Sequence, residues 1–193
     1  SPIAAVSLPD GEKASSVACC DESVVVLSSN CRLFTSPVES SGVLNFSIVS
    51  ELSGQEIVCV SGTNEHFIAV SKEGRVFGRG SNEYGQLGLG EETESVSSFT
   101  EISSLFGYEI RAAYAGGGHS LFETREGKIL SCGSNSYGEL LLNGNIGEIV
   151  YSPIETTITS GAAFCIAGDC NSVVFIGTSP PTNTPNMRII EYE

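Results

Sequence analysis

Apolar residues in this chain come in short runs of four to six, broken by glycine, serine and charged residues, and no run keeps a helical period for more than about ten positions. Two stretches share one order of elements. An apolar strand comes first, Ile57-Val58-Cys59-Val60 in one and Ile110 to Tyr114 in the other. Small residues follow, Ser61-Gly62-Thr63-Asn64 or Ala115-Gly116-Gly117-Gly118, and predict a kink. A second strand is led by His66 or His119. Lys72-Glu73-Gly74 and Arg125-Glu126-Gly127 read as hairpin turns, each with a glycine for the positive φ. A third strand, Arg75-Val76-Phe77 or Lys128-Ile129-Leu130, runs into glycine-spaced residues. Polar loops, 81–90 and 134–144, lead to the next unit.

The two stretches are one segment written twice, 53 residues apart. His66, Glu73, Gly74, Gly80, Ser81, Asn82, Tyr84, Gly85 and Leu87 recur as His119, Glu126, Gly127, Gly133, Ser134, Asn135, Tyr137, Gly138 and Leu140. A repeat of this length implies one supersecondary unit built several times, each copy burying its apolar face against the next. Two degenerate copies flank the pair. Upstream, Ser23 to Leu27, a turn at Ser28 to Cys31 and Arg32-Leu33-Phe34 match the hairpin at a spacing of 43. Downstream, Ala167-Gly168 and Asn171 to Phe175 match at 52, and Met187 to Tyr192 reads as a last strand beyond Pro180-Pro181. The expected class is all-β, with about four units near 8–50, 51–104, 105–158 and 159–193.

The segment VFGRGSNEYGQLGLG, behind Gly62 and the His66 strand, resembles the repeat of the regulator of chromosome condensation family. ILSCGSNSYGELLLNG, behind Gly116 and His119, is a worn version of it. The resemblance implies β-propeller blades, each a four-stranded antiparallel sheet, usually seven to a ring. It also implies protein recognition: members include nucleotide-exchange factors for the small GTPase Ran, arms of ubiquitin ligases and ciliary scaffolds. Where the family usually has tryptophan before the glycine closing the third strand, this chain has Arg79 and Cys132, and it has no tryptophan at all. A photoreceptor absorbing through tryptophan is therefore excluded. At about 50 residues a blade, 193 residues make about half a ring. The expectation is a fragment whose remaining blades come from another chain or another copy, since an open arc leaves sheet edges uncovered.

Charge and composition narrow the function classes. A formal charge of −14 argues against nucleic acid and anionic membrane as partners, because phosphate neutralisation needs Lys and Arg. No apolar run is long enough to span a bilayer and no export signal is visible, so a cytoplasmic or nuclear protein is expected. The missing initiator methionine suggests a processed or truncated chain. Seven cysteines, an odd number, read as reduced core residues, and Cys165 and Cys170 lack partners for a zinc site. Asn45-Phe46-Ser47 is a glycosylation sequon of a kind frequent by chance.

No catalytic constellation, cofactor cradle or metal site is expected. Gly78, Gly80 and Gly85 fit no phosphate-binding loop. Gly62, Gly74, Gly80, Gly85, Gly116, Gly127, Gly133 and Gly138 are expected to be structural. His66 and His119, the only histidines, read as ties to backbone or to a neighbouring blade, while the resemblance implies that such positions face a partner. The expected partner-binding set is His66, His119, Asn82, Tyr84, Asn135, Tyr137, Glu91 and Glu92. Glu91, Glu92 and Glu94 are either solubilising or one rim of a platform that steers a basic partner. Arg32, Arg75 and Lys128, just past the hairpin turns, are placed on one common rim. The function expected is a non-enzymatic protein-interaction module; the alternative is a guanine-nucleotide exchange factor for a Ran-like small GTPase.

Overall fold

The computed structural model describes residues 7–39, 43–143, 146–158, 162–167 and 172–176. Within each sheet the strands run antiparallel in chain order, each pairing with the one before it. The first sheet holds β1 (Ala14–Cys19), β2 (Ser23–Ser28), β3 (Leu33–Pro37) and β4 (Ser47–Ile48). The second holds β5 (Ile57–Thr63), β6 (His66–Ser71), β7 (Val76–Ser81) and β8 (Ser95–Glu101). The third holds β9 (Ile110–Ala115), β10 (His119–Thr124), β11 (Ile129–Ser134) and β12 (Ile149–Glu155). β13 (Ala162–Ala167) and β14 (Ser172–Ile176) form a fourth, two-stranded sheet. The chain is all-β, built from the four-stranded antiparallel blades of a β-propeller.

Alternation along β6 shows how the blades share cores. Phe67 and Ala69 point into a cluster with Val25, Leu27 and Leu33 of the first sheet. Ile68 and Val70 point the other way, into a cluster with Ile110, Phe122 and Leu130 of the third. Both faces of the strand are buried, which is why His66–Ser71 reads as a continuous apolar run instead of alternating. The third sheet repeats the scheme, with Phe122 facing back and Leu121 facing forward with Ile129, Leu141 and Ile158.

The outermost strands behave differently. β8 is Ser-Val-Ser-Ser-Phe-Thr-Glu and buries Phe99 alone, and β12 is exposed or half-buried throughout. Neither carries a periodic signal, and the sequence reading, though it expects four-stranded blades, assigns no strand to either stretch. The expected kink at Ser61-Gly62-Thr63-Asn64 is borne out at Asn64 alone: β5 continues to Thr63, and the reversal is confined to Asn64 and Glu65. The phenyl ring of Phe67 lies over Gly62, where any β-carbon would meet it, so the small residues there make room for a ring and do not bend the strand. In the third sheet Gly116 lies likewise under the ring of His119, outside β9.

The cysteine expectation holds in part. Cys132 is fully buried and its thiol is pushed up by burial, but Cys19 is exposed and Cys20, Cys31 and Cys59 are only partly covered. Cys31 stands in the first sheet's hairpin at the position of Gly74 and Gly127, and keeps their left-handed conformation with φ 60°. The expected strand at Met187 to Tyr192 and the Pro180-Pro181 departure lie outside the described residues, as does Cys170. No helix among the described residues is long and apolar enough to cross a membrane.

Candidate partner interface

Every blade starts at the same end, so the molecule has two distinct rims. One carries the hairpin turns of β2–β3, β6–β7 and β10–β11. The other carries the β1–β2, β5–β6 and β9–β10 reversals and the long loops 82–94 and 135–148. Contacts between blades confirm the alignment: Arg125 donates to the Lys72 carbonyl on the turn rim, and Thr63 Oγ1 donates to the Gly116 carbonyl at 2.6 Å on the loop rim.

On the turn rim, the recurring cations are neutralised locally. Arg75 makes a two-armed pair with Glu101, both bonds 2.6 Å, and lies over the Phe77 ring. Arg32 pairs with Glu12 and Asp10 and lies over Phe34, and Lys128 reaches Glu155 at 3.0 Å. The Arg75 hydrogen bonds hold the Glu101 carboxyl below its ordinary range. The Lys128–Glu155 pair is exposed and adds little to stability, whereas the Glu12 carboxylate beside Arg32 is nearly covered.

The loop rim is built on Asn82. Its Nδ2 donates to the carbonyls of Gly90 (3.0 Å) and Thr93 (2.6 Å), and its Oδ1 accepts the Leu87 N–H at 2.8 Å. The side chain is buried and spent inside its own loop. Asn135 is buried too, with Oδ1 accepting from Leu140 at 3.1 Å. At Gly85 the loop presses on the third sheet; a β-carbon there would lie 2.8 Å from Tyr151 Cα and the Val150 carbonyl. Tyr84 and Tyr137 project from these fixed loops, 48% and 69% exposed. The Tyr84 N–H donates to Gln86 Oε1 (2.9 Å); at the equivalent position in the next repeat, the Tyr137 N–H donates to Glu139 Oε2 (2.8 Å).

Both histidines are internal. His66 lies 2.9 Å through Nε2 from Ser120 Oγ of the next blade, and His119 lies 2.8 Å through Nε2 from Ser172 Oγ of the blade after. The tautomer at His66 follows from proton bookkeeping. Ser120 has one hydroxyl proton, and at 2.7 Å the Gln86 carbonyl, which can only accept, takes it. Nε2 therefore carries the imidazole proton and donates it to Ser120. Nδ1 is a buried lone pair with no partner, and a second proton there would be an unpaired buried charge. Burial first, and nearby His119 second, depress the His66 pKa to about 3.

Of the eight residues expected to meet a partner, the structure brings Tyr84, Tyr137, Glu91 and Glu92 to the surface of the loop rim. His66, His119, Asn82 and Asn135 lie inside it, and act on that surface only by shaping it. The serines were missed by the sequence reading. The signal was present: each histidine is followed by a serine in the next repeat, 54 residues after His66 and 53 after His119. The described residues hold no convergence of three or more His, Cys, Asp or Glu around one point.

Comparison with known proteins adds the following. A sequence model of the regulator of chromosome condensation (RCC1) repeat matches residues 73–122, and a second model of the same repeat matches 57–86 and 110–139. The chain is similar to the probable E3 ubiquitin-protein ligase HERC4 of Rattus norvegicus, 35% identical over 121 residues, covering 63% of this chain and 11% of that protein. It is also similar to the secretion-regulating guanine nucleotide exchange factor of Bos taurus, 35% identical over 123 residues, 60% of this chain and 26% of the relative. Among solved structures, human WBSCR16 superposes with a TM-score of 0.76 at 20% identity, covering 89% of this chain and 48% of that one. Prp20p from Saccharomyces cerevisiae gives 0.71 at 17% identity, covering 86% and 43%. The chain thus spans about a quarter or less of these two curated relatives and just under half of these solved chains.

Proposed function

The chain belongs to the regulator of chromosome condensation repeat family, and from that premise we propose that it is a protein-recognition module that takes its partner on the loop rim through Tyr84 and Tyr137. The observation that carries this reading is a contrast within the repeat motif. The asparagines and histidines of the motif are consumed inside the blades, while the tyrosines stand out from loops too constrained to fold them away. Rigid aromatic side chains of this kind bury large area at low entropic cost and dominate interface energies. In this reading the chain does no covalent chemistry, and the remaining blades of a closed ring come from another stretch of polypeptide or another copy.

The test is quantitative capture with the wild-type chain and with Tyr84→Ala/Tyr137→Ala. The double variant should keep its far-ultraviolet spectrum and melting temperature, because neither ring supports a core. Bound partners should fall by tenfold or more, since two such anchors contribute roughly 2 kcal/mol or more. Equal recovery of the same proteins would refute the placement on this rim.

A second reading is supported by the 35% identity with the secretion-regulating exchange factor: guanine-nucleotide exchange on a Ran-like small GTPase. It requires catalytic amounts of protein to accelerate release of labelled GDP from the GTPase. A stable complex with no change in release rate favours simple recognition.

A further inference from the structure

The charges are sorted by rim, and this identifies the chemistry of the partner. Eight of the nine Lys and Arg fall within the described residues. Seven of them, Lys13, Arg32, Lys72, Arg75, Arg111, Arg125 and Lys128, stand at the turn rim, and Arg79 lies within β7, donating to Thr35 of the first blade. The described residues of the loop rim include no Lys or Arg. They do include exposed carboxylates at Glu65, Glu83, Glu91, Glu92, Glu94 and Glu148. These do not converge as ligands of one ion among the described residues. They act as a spread negative field.

A second observation is independent of these exposed acids. At the repeat position where the second blade has Gln86, the third has Glu139, only 4% exposed. Its Oε2 accepts the Tyr137 N–H, so the charge lies against the base of the more exposed of the two loop tyrosines. Among the described residues, no Lys or Arg of the loop rim balances it. An amide at the same place serves the Tyr84 loop equally well, so the fold itself does not need the charge. A partner's cation stacked on the Tyr137 ring would stand beside this carboxylate.

We propose that the loop rim binds an arginine-rich protein segment, with guanidinium groups stacked on Tyr137 and Tyr84 and their charge met by Glu139 and the surrounding carboxylates. The inference rests on the loop-rim reading above and specifies its partner. Arginine suits the site better than lysine because it stacks on an aromatic face while keeping its donors free for carboxylates. The electrostatic part of the attraction weakens with salt.

The test is fluorescence anisotropy with a labelled 12-residue peptide alternating arginine and serine, beside matched lysine and glutamate peptides. The arginine peptide should bind best and the glutamate peptide not at all. Glu139→Gln installs the amide of the preceding repeat; it should fold at least as stably as wild type and bind about tenfold more weakly. Tyr137→Ala should weaken binding similarly, whereas Glu73→Gln/Glu126→Gln on the turn rim should stay within twofold. Binding that ignores Glu139 and Tyr137, or that the turn-rim variant weakens equally, overturns the proposal as non-specific attraction to an acidic protein. Failure of the peptide to bind, while Tyr84→Ala/Tyr137→Ala still loses its captured partners, overturns the basic-partner inference and leaves the recognition reading standing.

Discussion

Replacing Gly80 by alanine is expected to destabilise the protein by about 3–5 kcal/mol, a large part of the roughly 5–15 kcal/mol that holds a typical domain folded. Two causes add. Gly80 has φ 111°, a region that residues with a β-carbon enter only at a cost of about 1–3 kcal/mol. A β-carbon there would also run into the Glu65 carbonyl oxygen and lie 2.8 Å from His66 Cα. Relief would require β6 and β7 to part at the point where Gly80 and His66 are paired, forcing a core shift of about 1–3 kcal/mol more. Gly133 repeats the situation one blade on, with φ 114° opposite His119. Urea unfolding of Gly80→Ala and Gly133→Ala should show similar losses. A loss below about 1 kcal/mol at either site would show that the close strand approach is not as described.

Acid should weaken the protein through His66. The folded-state pKa of about 3 lies below the unfolded value of 6.5, so the folded chain resists a proton that the unfolded chain accepts. The contribution is intact above pH 6.5 and is lost progressively as pH falls toward 3. Linkage gives a loss of about 2 kcal/mol between pH 7 and pH 5. His66→Gln removes this titration. The stability of that variant is lower at pH 7, but its fall between pH 7 and pH 5 should be about 2 kcal/mol smaller than that of wild type. Carboxylates such as Glu101 titrate equally in both proteins and cancel in the comparison. Parallel pH profiles would mean that the imidazole takes up protons freely in the folded state.

The inner part of each blade was legible in the sequence because it obeys the tightest constraints. β6 and β10 are buried on both faces, β6 shows it as the apolar run Phe67 to Val70, and the glycines opposite the histidines recur because nothing else fits there. The outer strands were not legible. β8 and β12 are largely exposed, so few of their side chains have to be apolar, and backbone pairing with β7 and β11 leaves no periodic trace. On the loop rim the tyrosines and glutamates could be read as exposed from their polar loops. The inward turn of Asn82 and Asn135 could not, because an asparagine in a loop looks the same whether it serves its own backbone or a partner. The serines facing the histidines belong to the next repeat, and only a comparison of offsets between repeats would have joined them.

The division of labour between internal histidine and external tyrosine is tested most directly by a double-mutant cycle on His66 and Ser120, read by urea unfolding at pH 7. A hydrogen bond buried between two blades predicts a coupling energy of about 1–2 kcal/mol, with Ser120→Ala costing that much less once His66 is gone, since only its bond to the Gln86 carbonyl is then left to lose. Additive losses, with coupling below about 0.3 kcal/mol, would contradict the tie and return His66 to the pool of side chains available to a partner.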